Sequence, residues 1–180
     1  ITKKQQTISD LSCVVTGLIL ALNLPANVPL WQAVVGSAFA IIVVKCLFGG
    51  LGKNFMNPAL AARCFLLISF GAIVTVYKVD GVSTATPLAE LATGKSVDLV
   101  AVWWGSASGV IGSSALGILI GAAILFAFKI ITWEIPVSVL VAFNLFLGFF
   151  GERGFDPGFH MVHMLAGGVL FGAFFMATDY

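Results

Sequence analysis

Charge is what this 180-residue sequence has least of: 9% of its residues are Asp, Glu, Lys or Arg, against about 25% in an average soluble domain. A chain so poor in charge cannot cover itself with a charged surface, which excludes an ordinary water-soluble domain. Its net charge of +1 gives no bulk attraction for nucleic acid or another polyanion. Cysteine is scarce too. Cys13, Cys46 and Cys64 form no CxxC pair, and no histidine stands at ligand spacing from any of them. That excludes an iron–sulfur or zinc site readable from sequence, so no metal ligands are assigned. Basic runs and low-complexity tracts are absent. So is a charged leader followed by a cleavage site. The chain opens on Ile1 and stops after an apolar run at "MATDY", and it is expected to be a piece of a longer protein with spans missing at both ends.

What is present is oil. Hydrophobic residues make up 59% of the chain, and mean hydropathy is +1.07. The reading is an integral membrane protein, a single membrane domain over residues 1–180. Six apolar runs are expected as membrane spans, at Leu11–Leu24, Leu30–Phe48, Pro58–Tyr77, Ala115–Ile131, Ile135–Phe150 and Phe159–Ala177. All are read as helices, because lipid-exposed backbone must satisfy its own hydrogen bonds and nothing alternates as a barrel strand would. The first run is short of the roughly 20 residues a span needs. Pro25 and Pro29 end it, so it is either extended by the polar residues before it or a broken helix.

Lys3 and Lys4, the group Lys45, Lys53 and Arg63, and Lys129 fall on one side if the spans alternate. The positive-inside tendency makes that side cytoplasmic. The long loop 78–114 and the turn "GERGFDPGF" then lie outside, with the Pro25–Pro29 turn. Lys45 and Arg63 are expected to snorkel to the surface. Trp103 and Trp104 read as interface anchors, and the glycines of "WWGSASGVIGSS" suit tight packing. His160 and His163 share a helix face and read as interfacial or buried, hydrogen-bonded histidines. In "FGGLGKNFMNPAL", the three glycines with Asn54 and Asn57 fit either an ordinary cytoplasmic turn or irregular backbone lining a cavity.

The most distinctive stretch is "VDGVSTATPLAEL", Val79–Leu91, a knot of small and hydroxyl residues. Thr86 before Pro87 suits a helix N-cap followed by the first helical position, and Glu90 stands one residue too late for a capping box. A threonine hydroxyl among small neighbours is also accessible to a modifying enzyme.

Asp80-Gly81-Val82-Ser83-Thr84-Ala85-Thr86 resembles the motif D-[AG]-x-[ST]-G-A-T read by flavin transferases, with Thr84 where glycine is usual. The stretches "GGLGKNFMNPALAARCF", "GSASGVIGSSALGILIG" and "GGVLFGAFFMATD" surround it in the order of one family. In the second of these Ser113 stands where glutamate is usual. The family comprises the RnfD component of the Rnf ferredoxin:NAD oxidoreductase and the NqrB component of the sodium-pumping NADH:quinone oxidoreductase, and "ATPLAEL" is more similar to the former. The resemblance implies an all-α fold related to urea and ammonium transporters. It also implies FMN joined to Thr86 by a phosphoester, with Asp80, Ser83 and Ala85 as motif residues, and a riboflavin near Asn54 and Asn57. The protein would relay electrons between ferredoxin and NAD, coupled to Na+ or H+ transport, without catalytic residues of its own. Its partners would be flavin-bearing and iron–sulfur subunits, a flavin transferase during maturation and the lipid bilayer, with no nucleic acid. Its place would be the cytoplasmic membrane of a bacterium or archaeon, flavin loop outward. The rival readings are a cofactor-free small-solute permease on the same fold and a membrane anchor for redox partners.

Overall fold

The computed structural model describes residues 11–47, 56–79, 82–166 and 168–179. Among them the chain forms α1 (Ser12–Leu22), α2 (Leu30–Cys46, π-helical from Phe39), α3 (Pro58–Val74), a ribbon of β1 (Tyr77–Val79) and β2 (Val82–Thr84), and α4 (Pro87–Ala92). It continues through α5 (Leu99–Trp104), α6 (Ala115–Ala127), α7 (Glu134–Phe150), α8 (Pro157–Ala166) and α9 (Val169–Met176).

Side chains start four of these helices. The side-chain carbonyl of Asn57 accepts from Leu60 N at 3.0 Å, Asp98 accepts from Val100 N and Ala101 N, and Ser114 accepts from Gly117 N. Thr86 does the same for α4. Each pairs a donor that the first helical turn leaves open, and Pro58 and Pro87 sit where a missing N–H costs nothing. Leu20, Ala59, Ala62, Leu66, Ala115 and Phe171 form a buried core between α1, α3, α6 and α9. Gly36 brings α2 against α3, since a Cβ there would stand 2.6 Å from Leu66 Cδ1, the small-residue contact of membrane helices. The outward faces are apolar: Leu30 is 85% exposed and Ile68 86%, with Phe146, Phe149 and Phe150 also exposed.

The helical reading holds, with shorter elements than the apolar runs suggested. No single helix among the described residues is long and apolar enough to cross a membrane alone. The longest, such as α3 and α7, have 17 residues, about 25 Å against a hydrocarbon core of about 30 Å. α1 has 11 residues. The run to Tyr77 turns into a strand, and that to Ile131 ends its helix at Ala127. The last run is a bent pair, α8 and α9, inclined by 66°. The loop 78–114 contains the ribbon and two short helices. Its stretch 105–114 packs on the end of α1, where Ile111 N donates to Leu24 O at 3.1 Å and Gly112 N to Leu22 O at 2.7 Å.

Two snorkelling expectations are corrected. Lys45 is 5% exposed, and its Nζ donates to Thr16 Oγ1 at 3.3 Å, because the helix side facing α1 carries it inward. Arg63 is half-buried, and its Nη1 donates to Asn23 Oδ1 at 2.8 Å. Trp104 is exposed as an interface anchor would be, whereas Trp103 packs against the core.

Candidate functional site

The antiparallel ribbon pairs Tyr77 with Thr84, Lys78 with Ser83 and Val79 with Val82. Asp80 and Gly81, the expected first residues of the motif, lie outside the described residues. An Asp-Gly pair between short runs is a strong hairpin signal, and reading the segment as a helix cap, turn residues and a modification motif missed the ribbon, in which Ser83 and Thr84 are strand residues. β2 ends at Thr84 and delivers Ala85 and Thr86 to the start of α4. The Ala85 carbonyl accepts from the Ser108 hydroxyl, which ties the segment to the loop before α6.

Thr86 has extended backbone (φ −70°, ψ 154°). Its Oγ1 accepts from Ala89 N at 3.3 Å. The hydroxyl hydrogen is donated to no partner among the described residues, and Thr84 and Ala85 beside it are exposed. Replacing that hydrogen by phosphorus leaves the oxygen able to accept. The residue therefore works as the expected cap, with its hydroxyl hydrogen left over. A cleft of about 230 Å³ lies alongside, lined by Thr84, Ala85, Pro87, Glu90, Asp98 and Ser106–Ser108 among others. Its two carboxylates make it a poor seat for a phosphate.

A second polar group has different partners. Asn54 lies outside the described residues. Asn57 caps α3 with its carbonyl and donates from Nδ2 to Met176 O at 3.1 Å and to Asp179 Oδ2 at 3.2 Å. It lines a cavity of about 540 Å³ with Asn23, Arg63, Gly168, Val169, Gly172 and Met176. Among the described residues Arg63 makes no ion pair, and it lines this cavity beside the amides of Asn23 and Asn57. Burial pushes the Asp179 carboxyl above its ordinary value, against the opposing pull of Lys45 and the Asn57 hydrogen bond. The sequence reading found Asn57 but not Asn23, Arg63, Lys45 or Asp179 as its company. The signal was there: polar and ionisable residues inside apolar runs of a membrane protein mark function by default. Among the described residues Thr86 and Asn57 share no hydrogen-bond partner.

His160 and His163 are half-buried and hydrogen-bonded, as expected. His160 Nδ1 lies 2.9 Å from Asn144 Oδ1 and its Nε2 2.9 Å from Gly154 O. His163 Nδ1 lies 2.8 Å from Phe159 O.

The chain is 48% identical to the D component of the Na(+)-translocating ferredoxin:NAD(+) oxidoreductase complex of Acetobacterium woodii, over 99% of this chain and 57% of that protein. It is 35% identical to the D component of the proton-translocating ferredoxin:NAD(+) oxidoreductase complex of Clostridium ljungdahlii, over 99% of this chain and 60% of that one. It is 41% identical to the B component of the Na(+)-translocating NADH-quinone reductase of Azotobacter vinelandii, over 92% and 45%. The chain thus spans about half the length of the curated relatives it matches. The model of one family matches residues 1–180 throughout, and the chain belongs to that family, described as NQR2, RnfD, RnfE.

Proposed function

We propose that this chain is the flavin-bearing part of a membrane subunit in an ion-translocating oxidoreductase, with FMN carried on Thr86 through a phosphoester. The observation that carries the reading is the Thr86 hydroxyl. It is exposed on one side, bonded only as an acceptor, and held by a ribbon, a proline and the Ser108–Ala85 contact. Relatives named as components of ferredoxin:NAD(+) and NADH-quinone oxidoreductases support the redox assignment. FMN supplies reversible one- and two-electron chemistry when bound, and the protein supplies position and electrostatics. In this chain Thr86 anchors the group, and α4 with the 105–114 loop fixes the anchor's direction. The partners follow as further flavin and iron–sulfur subunits, with a flavin transferase acting once during maturation. The setting is a bacterial or archaeal cytoplasmic membrane, with the loop outward. The relatives' names divide between sodium and proton, and both ions fit this reading.

The cavity beside Asn57 and Arg63 suits a second, non-covalent flavin such as riboflavin. Its volume, its apolar wall of Val169 and Met176, and its amide and guanidinium donors match a flat ring system with a polar edge.

Peptide mass spectrometry of the full-length protein from its native membranes tests the covalent assignment. The peptide containing Thr86 should carry one phosphoester-linked FMN, and Thr86→Ala should abolish both the mass increase and the in-gel flavin fluorescence. An unmodified peptide, in cells that contain the transferase, overturns the reading in favour of a permease or anchor.

A further inference from the structure

A cavity of about 400 Å³ lies on the other side of α4 from the acidic cleft, lined by Leu88, Leu91, Phe150, Arg153, Phe159 and His163 among others. Nothing assigned so far uses it. Its walls come from α4, which Thr86 caps, and from the turn joining α7 to α8 with the first turns of α8. Leu88 is two residues from Thr86, and α4 is only six residues long, about 9 Å. A group tethered at Thr86 by a flexible arm therefore reaches this cavity without leaving the surface of α4.

The chemistry of the walls is specific. Phe159 contacts both Arg153, whose guanidinium carbon stands 5.7 Å from the ring centroid, and His163, whose ring centroid is 4.1 Å away, while Phe150 is the openly exposed ring of the wall. Phe150 and the two leucines add apolar surface. His163 Nδ1 donates to the Phe159 carbonyl, so in the neutral ring Nε2 is left as an acceptor. Arg153 makes no ion pair among the described residues and is exposed. The neighbouring Glu152 also lines the cavity, but Arg153 is the charge held against the aromatic wall. The site thus combines ring-stacking surface, a guanidinium donor and an imidazole acceptor. That complements a planar heteroaromatic ring whose polar edge alternates carbonyl acceptors with an N–H donor. The cleft on the opposite side of α4 offers two carboxylates, Glu90 and Asp98, which repel a ring that gains electrons.

We propose that the isoalloxazine ring of the Thr86-linked flavin docks in this cavity, stacked against its aromatic wall, with Arg153 stabilising the electron-rich reduced ring. The inference rests on the reading that Thr86 carries the flavin. Arg153 would then raise the reduction potential by attraction to the added negative charge, an effect that solvent screens in part because Arg153 is exposed.

The experiment uses the full-length protein in its membrane complex and compares wild type, Arg153→Gln, Arg153→Lys, His163→Leu and Glu90→Gln. Mass spectrometry of the Thr86 peptide first reports attachment in each. With attachment intact, Arg153→Gln should weaken the reduced state about tenfold relative to the oxidised one, lowering the midpoint potential by about 59 mV for one electron. Arg153→Lys should restore most of that shift. His163→Leu should raise flavin fluorescence as the ring loosens. An unchanged potential and fluorescence in the Arg153 and His163 variants, with flavin attached, overturns the docking site and leaves the Thr86 assignment standing. A shift confined to Glu90→Gln moves the ring to the acidic cleft. Absence of flavin from wild-type Thr86 overturns the assignment and the docking site together.

Discussion

At Thr86 one oxygen caps α4 and is proposed to carry the flavin, and substitution can separate the two. Thr86→Asn keeps a good N-cap acceptor but has no hydroxyl to esterify. It is expected to retain thermal stability and lose all flavin, whereas Thr86→Ala loses the flavin and about 1 kcal/mol of capping as well. Melting curves in detergent alongside fluorescence gels distinguish the two. Equal destabilisation by both would mean that the cap hydrogen bond contributes nothing. Arg63 offers a second test at this scale. Its guanidinium donates to Asn23 Oδ1 at 2.8 Å, in a half-buried setting. Asn23→Ala should cost about 1.5–3 kcal/mol, the range for hydrogen bonds to charged groups, and should weaken any riboflavin retained on purification. Retention unchanged in Asn23→Ala would separate the cavity from flavin binding. The two residues differ in how well the sequence revealed them. Thr86 was legible as a cap because that role depends on its immediate neighbours. The inward course of Lys45 and Arg63 was not, because a long basic side chain near a span end can turn either way. Only α1 packing beside them decides the direction.

Elements were legible where hydrophobicity alone specifies them and obscure where geometry does. The helical runs from Pro58, Ala115 and Glu134 follow from continuous apolar sequence behind a cap or an acidic first turn. The bend between α8 and α9 and the π-helical half of α2 do not, since apolar composition is continuous across both. The ribbon was hidden by its shortness, three residues to a strand. The segment after α9 carries its own prediction through Asp179. Its carboxyl is raised chiefly by burial, with Lys45 and Asn57 opposing. A raised folded-state value means the folded protein binds this proton more tightly than the unfolded chain does. Its contribution to stability is therefore present below the ordinary value of 3.8 and lost as pH rises through the folded value. Asp179→Asn, which keeps an oxygen for Asn57 Nδ2, should remove that part of the pH slope. Melting temperatures of both proteins across the acidic range check this, and parallel curves would show that burial does not govern the group.

For the whole molecule, the arrangement of ends matters more than the number of spans. α7 runs 17 residues, about 25 Å, and separates two turns. One, residues 128–133, follows α6. The other, residues 151–156, contributes Glu152 and Arg153 to the cavity under α4. The Thr86 loop and the "GERGFDPGF" turn therefore sit together at one end of the bundle, as alternation of the apolar runs implied. The turn after α6, with Lys129, sits at the other. If the charge bias sets orientation, the Thr86 end faces outward. Single-cysteine labelling in intact cells tests this in the full-length protein. Cys13, Cys46 and Cys64 are free thiols and must first be replaced. Lys95→Cys and Glu152→Cys, both at exposed positions, should then react with a membrane-impermeant maleimide from outside. Thr132→Cys, also exposed, should react only after permeabilisation. The reverse pattern would invert the protein and put Thr86 on the cytoplasmic side. Labelling of Lys95→Cys and Glu152→Cys from opposite sides would contradict the fold itself, because α4 and α8 pack against each other. The expected pattern would instead put the Thr86 end, and with it any flavin that the proposed function attaches there, at the outer face of the membrane.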